Sequence, residues 1–203
     1  LARPVVAMQS TPSGQGYCLV AADGGIFTFG DADYHGSAGA ESLSSAVVAM
    51  ETTASGNGYW IVTASGQVLA YGDAVLRGDA SDLQLVAPVV DLARTASGNG
   101  YWLVASDGGV FTYGDAGYHG SAGAITLAQP VSGMQRTNSG NGYWLVARDG
   151  GIFTYGDAGF HGSAGATPLA SAVRAMVRTG SGQGYWILTE RGQILAYGDA
   201  IYG

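Results

Sequence analysis

The sequence predicts an all-β protein, a five-bladed β-propeller with four short antiparallel strands in each blade. The first observation behind this prediction is an internal repeat, which begins at residues 4, 46, 88, 130 and 172 with a constant spacing of 42 residues. The second is that each copy holds short apolar segments separated by glycine-rich turns, a pattern typical of consecutive antiparallel strands. We therefore predict a single domain over residues 1–203, with repeats at 4–45, 46–87, 88–129, 130–171 and 172–203.

The third repeat illustrates the four predicted strands, which lie at residues 89–93, 101–105, 110–113 and 118–121. Its second and third segments are apolar on successive residues, as expected when neighbouring sheets cover both faces of a blade. The turn between them, Asp107-Gly108-Gly109, favours a β-hairpin. The second and fifth repeats instead carry Ser65-Gly66-Gln67 and Arg191-Gly192-Gln193, so the predicted blades fall into two types.

The ends of the chain predict a closed ring. Leu1-Ala2-Arg3 matches Leu127-Ala128-Gln129 at the end of the third repeat, and the fifth repeat stops at Tyr202-Gly203. Both ends are then expected to fall within one connecting segment, whereas an open array of repeats would carry polar capping repeats. Because no charged and apolar leader follows Leu1, we expect any signal peptide to be already removed or never present.

Charge and hydropathy exclude several classes of partner. The chain has 8 arginines and no lysine against 15 carboxylates, a net charge of −7, which argues against nucleic acid and anionic lipid. The apolar runs are only a few residues long, so no membrane insertion is expected. The single cysteine, Cys18, cannot form an internal disulfide and leaves the compartment open.

The carboxylates predict a protein that is not an enzyme. One aspartate recurs after glycine and before alanine in every repeat, where its short side chain is expected to accept hydrogen bonds from turn amides: Asp31, Asp73, Asp115, Asp157 and Asp199. The remaining acids lie in no recognised catalytic or metal-binding motif, so we predict no metal and no cofactor. A glycoside-hydrolase-type enzyme, which needs two opposed carboxylates, is kept as a third hypothesis.

Two sets of polar and aromatic residues are the candidate ligand-binding residues. Three repeats carry an aromatic residue followed by histidine: Tyr34 and His35, Tyr118 and His119, Phe160 and His161. A Ser-Gly-Asn/Gln-Gly loop places an amide in every repeat: Gln15, Asn57, Asn99, Asn141 and Gln183. Alternatively, the histidines hydrogen-bond the backbone at blade ends and the amides serve tight turns. Trp60, Trp102, Trp144 and Trp186 share a slot with Cys18, which indicates packing between blades.

The stretch from Gly100 to Ala116, GYWLVASDGGVFTYGDA, resembles tandem repeats of secreted and cell-wall-associated actinobacterial proteins. The resemblance implies an accessory module that is extracellular or associated with the cell wall. The repeat is also similar to RCC1-type propeller repeats, and five blades of this size resemble tachylectin-like lectin propellers. Residues 105–112 partly resemble the Asp-box hairpin of sialidases, which in that family is a structural turn.

Together these observations predict a non-catalytic, extracellular binding module. The first hypothesis is lectin-like binding of a glycan or cell-envelope polymer through sites repeated around the ring, which would raise avidity for a multivalent surface. The alternative is a platform for protein–protein interaction or assembly, in which the face of the ring that carries these sites meets a partner chain.

Overall fold

The computed structural model describes residues 2–201, in which the repeats form five three-stranded sheets. The predicted matches at Leu1 and at Tyr202-Gly203 lie outside the described residues. Each sheet is built from strands consecutive in the chain. The strands are β1 (Val5–Ser10), β2 (Tyr17–Ala21), β3 (Ile26–Phe29), β4 (Val47–Thr52), β5 (Gly58–Thr63), β6 (Val68–Gly72), β7 (Val89–Arg94), β8 (Gly100–Ala105), β9 (Val110–Gly114), β10 (Val131–Arg136), β11 (Gly142–Ala147), β12 (Ile152–Gly156), β13 (Val173–Arg178), β14 (Gly184–Thr189) and β15 (Ile194–Gly198).

The chain divides into two compact units. The first runs up to Leu103 and includes Phe111–Ala116, so it contains the first two sheets and most of the third. The second consists of Val104–Val110 and the chain from Gly117 onward, and it contains the fourth and fifth sheets. The single domain over residues 1–203 and the closed ring stay predictions.

The hairpin turns form as the sequence predicts. In the fourth sheet, the Asp149 carboxylate accepts a hydrogen bond from the Gly151 N–H at 2.9 Å, and Gly150 has a φ of 83°, which favours glycine. The pairing is antiparallel, with Tyr143 opposite Tyr155. Turn chemistry and apolar segments therefore suffice to place β11 and β12.

The prediction of four strands in each blade is wrong for the described residues, because each sheet has three. In the third repeat the expected fourth strand, at 118–121, has no strand pairing. The His119 N–H donates instead to the Tyr143 hydroxyl at 3.2 Å, and the Ala122 N–H donates to the Gly108 carbonyl at 2.9 Å. Because these backbone groups are bonded to a side chain and a hairpin turn, they do not form a ladder.

The core of each unit lies between consecutive sheets. In the first unit, buried Trp60 and Val62 pack with Val89, Leu92 and Tyr101. In the second unit, Trp144 and Val146 pack in the same way with the fifth sheet. Trp144 also donates its indole N–H to the Gly159 carbonyl at 2.6 Å. The described residues contain no helix that could cross a membrane.

Candidate functional site

The repeated aspartate holds together two loops of its own repeat. In the fourth repeat the Thr137 hydroxyl donates to one oxygen of the Asp157 carboxylate at 2.8 Å, and the Ser139 hydroxyl donates to the other at 2.5 Å. The Ser139 oxygen in turn accepts the Asn141 N–H at 3.0 Å. The other four repeats contain the same carboxylate–hydroxyl cluster at Asp31, Asp73, Asp115 and Asp199.

These contacts correct one detail of the sequence-based interpretation. Asp157 was expected to accept turn amides, but its side chain accepts two hydroxyls, and the Asn141 amide reaches the cluster only through Ser139. The hydrogen bond from Ser139, supported by that from Thr137, holds the pKa of Asp157 below its usual value. The carboxylate therefore stays ionised at neutral pH, and both of its oxygens are already bonded.

A tyrosine hydroxyl joins each histidine segment to the next repeat. The His161 backbone N–H donates to the Tyr185 hydroxyl at 3.2 Å, and that hydroxyl donates to the Gly162 carbonyl at 2.5 Å. His35 and His119 make the same backbone contact with Tyr59 and Tyr143. The backbone of each histidine segment is therefore held by a tyrosine hydroxyl of the next repeat.

The His161 ring lies among aromatic and glycine residues. Its centroid is 5.6 Å from that of Tyr185 and 6.3 Å from that of Trp144. Its Nε2 atom is buried and accepts or donates no hydrogen bond to any described residue. A Cβ at Gly159 would lie 3.2 Å from Nε2, so a glycine at this position lets the ring lie against the backbone.

In the second unit a groove of about 390 Å³ opens between the loops of the fourth and fifth repeats. This volume is within the range of small-ligand sites. We call it the Asn138 groove, and it is lined by Thr137, Asn138, Ser139, Trp144, Asp157, Gly159, His161, Ser181, Gly182 and Gln183.

Asn138 bridges the two repeats that form the groove. Its side-chain N–H donates to the Gly180 carbonyl at 2.9 Å, and its Oδ1 accepts a hydrogen bond from Arg178. Gln183 lies on the other wall, with an exposed side chain that makes no hydrogen bond to any other described residue. The groove thus has one amide that is already bonded and one that is open to a ligand.

The structure brings together only two of the residues predicted to bind a ligand. His161 and Gln183 both line the Asn138 groove. The predicted aromatic residues Tyr34, Tyr118 and Phe160 are more than half exposed, and Phe160 is not among the lining residues. The remaining amides are also exposed: Gln15, Asn57, Asn99 and Asn141. His35 and His119 are half-buried.

Sequence reasoning missed Asn138 and assigned Trp144 to packing alone. Trp144 is buried, as predicted, and it is also one of the residues that line the groove. Asn138 follows the repeated threonine, at a slot that holds Pro12, Ala54, Ala96 and Gly180 in the other repeats. Asn138 is the polar residue at a position where the other repeats have proline, alanine or glycine, and this difference could have identified it as a candidate binding residue.

The corresponding positions of the first unit are arranged differently. Pro12 takes the slot of Asn138, and its ring lies close enough to Gly56 that a Cβ there would be 2.8 Å away. At the slot of His161 in the second repeat, Arg77 donates to the Asn99 side chain at 3.1 Å. The residues that form the Asn138 groove are thus replaced at these two places.

No group of three or more histidine, cysteine, aspartate and glutamate side chains in residues 2–201 is arranged to hold a metal ion. The absence of a metal or cofactor in the functional protein stays a prediction. Cys18 is a buried thiol in the first unit, and burial raises its pKa. Its position in the tryptophan slot is consistent with a packing role.

Comparison with known proteins supports the fold. No protein-family model matches the chain. No curated protein matches it either. Among solved structures, it is similar to the β-propeller domain of Cps50 (Swd1) from Myceliophteria thermophila, with a TM-score of 0.59 and 10% sequence identity. The alignment covers 96% of this chain, which spans 64% of that structure. At this identity the likeness shows a fold of the β-propeller type and nothing further.

Proposed function

We propose that this protein is a non-catalytic binding module whose Asn138 groove takes an uncharged, hydroxyl-rich ligand of the glycan class. The observation that carries the proposal is that one groove of about 390 Å³ is lined by both an aromatic ring and polar groups. The half-buried ring of His161 supplies the aromatic surface, since Trp144 lines the groove but is buried, and the polar lining groups are hydroxyls, amides and a carboxylate. Sugars present apolar ring faces and hydroxyl edges, so they match both surfaces.

The electrostatics of the groove favour a neutral ligand over an anionic one. Asp157 is held ionised by its two hydroxyl partners, and its charge would repel a phosphate or carboxylate. Arg178 donates to Asn138, so its guanidinium is partly committed to the protein. The net charge of −7 acts in the same direction at longer range.

The state of Asp157 also supports a binding function instead of hydrolysis. A glycosidase needs one carboxylate as acid and another as base or nucleophile. Asp157 is the single acid among the lining residues of the groove, and both of its oxygens accept hydroxyl hydrogen bonds. A lowered pKa makes it a poor proton donor at neutral pH. From the resemblance of the repeat we propose an extracellular or cell-wall-associated location, with cell-envelope polysaccharide as the ligand.

The test is calorimetric titration of the protein with soluble fragments of cell-envelope polysaccharide and a panel of neutral oligosaccharides. Gln183→Ala removes the open amide of the groove, and Gln15→Ala is the matched control because Gln15 is exposed at the same slot of the first repeat. We expect Gln183→Ala to raise the dissociation constant about tenfold, because the variant loses one hydrogen bond to a polar ligand. Gln15→Ala should leave the affinity unchanged. Absence of binding to every glycan, or an equal loss in both variants, would reject the proposal.

A second candidate function, protein binding, is favoured by the exposed aromatic residues. Tyr118 and Phe160 are both more than half exposed, and aromatic side chains are enriched at protein interfaces. Replacing both by serine should abolish binding to an envelope protein while leaving glycan titration unchanged. If glycan binding falls instead, the aromatic residues belong to the glycan site.

A further inference from the structure

The imidazole ring of His161 has one buried nitrogen and one accessible nitrogen. Nε2 is buried and makes no hydrogen bond to any described residue. Nδ1 has no such partner either, but it is not buried, and the side chain as a whole is half-buried. Because His161 lines the Asn138 groove, Nδ1 is the ring nitrogen that a ligand in the groove would meet.

The polar groups around the buried nitrogen are already engaged with one another. A Cβ at Gly159 would lie 3.2 Å from Nε2, so this nitrogen faces the glycine backbone. The Gly159 carbonyl accepts the indole N–H of Trp144 at 2.6 Å. The hydroxyl of Tyr185, whose ring packs against His161, donates to the Gly162 carbonyl. A proton on Nε2 would therefore be a buried donor that meets no acceptor among the described residues.

These surroundings determine which nitrogen of the ring carries the proton. A neutral imidazole has a single N–H, and its position depends on what each nitrogen meets. A buried N–H without an acceptor is costly and rare in folded proteins, whereas an N–H at an accessible nitrogen bonds to water. The arrangement around His161 therefore favours a proton on Nδ1 and a bare Nε2.

We propose that His161 presents its Nδ1–H to the Asn138 groove and that the ligand must place an acceptor oxygen against it. This inference rests on the proposed function and specifies how one residue selects the ligand. Ether oxygens in the rings and linkages of a polysaccharide accept hydrogen bonds and cannot donate them, so they meet this requirement.

The other polar groups of the groove impose no comparable requirement. The hydroxyls of Ser139 and Ser181 already donate to Asp157 and Asp199. The open amide of Gln183 can donate or accept, so it fits either kind of ligand group. The imidazole differs from these groups because its buried half fixes which nitrogen donates.

The first experiment is a long-range ¹H–¹⁵N NMR spectrum of the imidazole groups in the free wild-type protein at pH 8, where histidine side chains are ordinarily neutral. Protonated and bare ring nitrogens resonate in separate regions of this spectrum, so it identifies the tautomer directly. The His161→Asn variant assigns the signals, because those of His161 disappear in it. We expect a protonated Nδ1 and a bare Nε2. A protonated Nε2 would overturn the proposal, whether or not a glycan binds.

The second experiment measures binding by calorimetric titration with the panel of neutral oligosaccharides. Asparagine at position 161 can place an amide N–H near the position of Nδ1, whereas phenylalanine keeps an aromatic ring without a donor. We expect His161→Asn to bind within about threefold of the wild type and His161→Phe to raise the dissociation constant at least about tenfold. His35→Phe is the matched control, because Nε2 of His35 is also buried but His35 does not line the groove. It should leave the affinity unchanged.

The outcomes separate this inference from the proposed function. If no oligosaccharide binds to the wild type, the proposed function fails and the donor role fails with it. If the wild type binds a glycan and His161→Phe binds it equally well, the glycan site stands and the donor role is wrong. An equal loss in His161→Asn and His161→Phe also contradicts the donor role. Melting curves establish that each variant is folded, and the tautomer of the wild type decides the question if one is not.

Discussion

Replacing Tyr101 by phenylalanine removes one hydroxyl that holds two neighbouring repeats together. This hydroxyl accepts the backbone N–H of Arg77 at 3.1 Å and donates to the Gly78 carbonyl at 2.5 Å. The Tyr101 ring is fully buried, and burial is the main reason that its pKa is raised to about 12. The hydroxyl is therefore protonated in any ordinary buffer and can donate and accept at once.

The size of the effect follows from these two contacts. Each hydrogen bond contributes about 0.5–1.5 kcal/mol net, so losing both should lower the free energy of unfolding by about 1–3 kcal/mol. The melting temperature should fall by roughly 2–4 °C for each kcal/mol in a protein of this size. Phenylalanine keeps the ring packing, so the loss reports the hydroxyl and not a cavity.

The assay combines thermal unfolding with hydrogen exchange at the Arg77 amide, which loses its acceptor in the variant. Tyr17→Phe is the matched control, because Tyr17 holds the same slot in the first repeat but is exposed. We expect the control to change stability by less than about 0.5 kcal/mol. If Tyr101→Phe is as stable as the wild type, or if both variants lose the same stability, the hydroxyl does not join the repeats as described.

Two further predictions concern the loops. The hydroxyl of Ser139 holds the pKa of Asp157 in the folded protein below its value in the unfolded chain. The ionised carboxylate therefore contributes to the free energy of unfolding above about pH 4, and this contribution is lost as the pH falls through the lowered pKa. The urea midpoint should therefore fall on acidification, and a midpoint independent of pH would contradict this. Gly156→Ala should cost more than about 2 kcal/mol, because Gly156 has a φ of 66° and its Cβ would lie 2.1 Å from the Asn141 carbonyl oxygen. Gly180→Ala, where a Cβ meets nothing within 4 Å, should leave the urea midpoint nearly unchanged.

Much of the fold could be predicted because the repeat presents the same local signals five times. The apolar segments and the glycine-centred turns, which are Asp-Gly-Gly in three repeats and Ser-Gly-Gln or Arg-Gly-Gln in the other two, specify three strands and their hairpins from local chemistry alone. Whether the fourth segment forms a strand could not be predicted from local chemistry. His119 and Ala122 direct their N–H groups to a tyrosine hydroxyl and to a turn carbonyl, and these partners lie 24 and 14 positions away along the chain. Such non-local contacts override a weak strand pattern.

The candidate site was predicted only in part, for a related reason. The exposed amide of Gln183 and the position of His161 follow from the repeat, so both could be identified. The groove depends instead on departures from the repeat, such as Asn138 where other repeats have proline, alanine or glycine. A pattern shared by all repeats predicts the scaffold. To predict the ligand site, one must also know the positions at which single repeats differ and the residues that surround those positions in the fold.

The carboxylate–hydroxyl cluster has a consequence for how such a protein can change over generations. Asp157 is anchored by Thr137 and Ser139, and the residue between them takes no part in those bonds. That intervening position can therefore mutate without loosening the loop, and its side chain faces the neighbouring repeat, as Asn138 and Pro12 do. If a repeat is duplicated and only this codon then changes, the new copy can bind a different partner and still fold. Each loop therefore has three positions that must be kept, those of Asp157, Thr137 and Ser139, and one that is free to vary, that of Asn138.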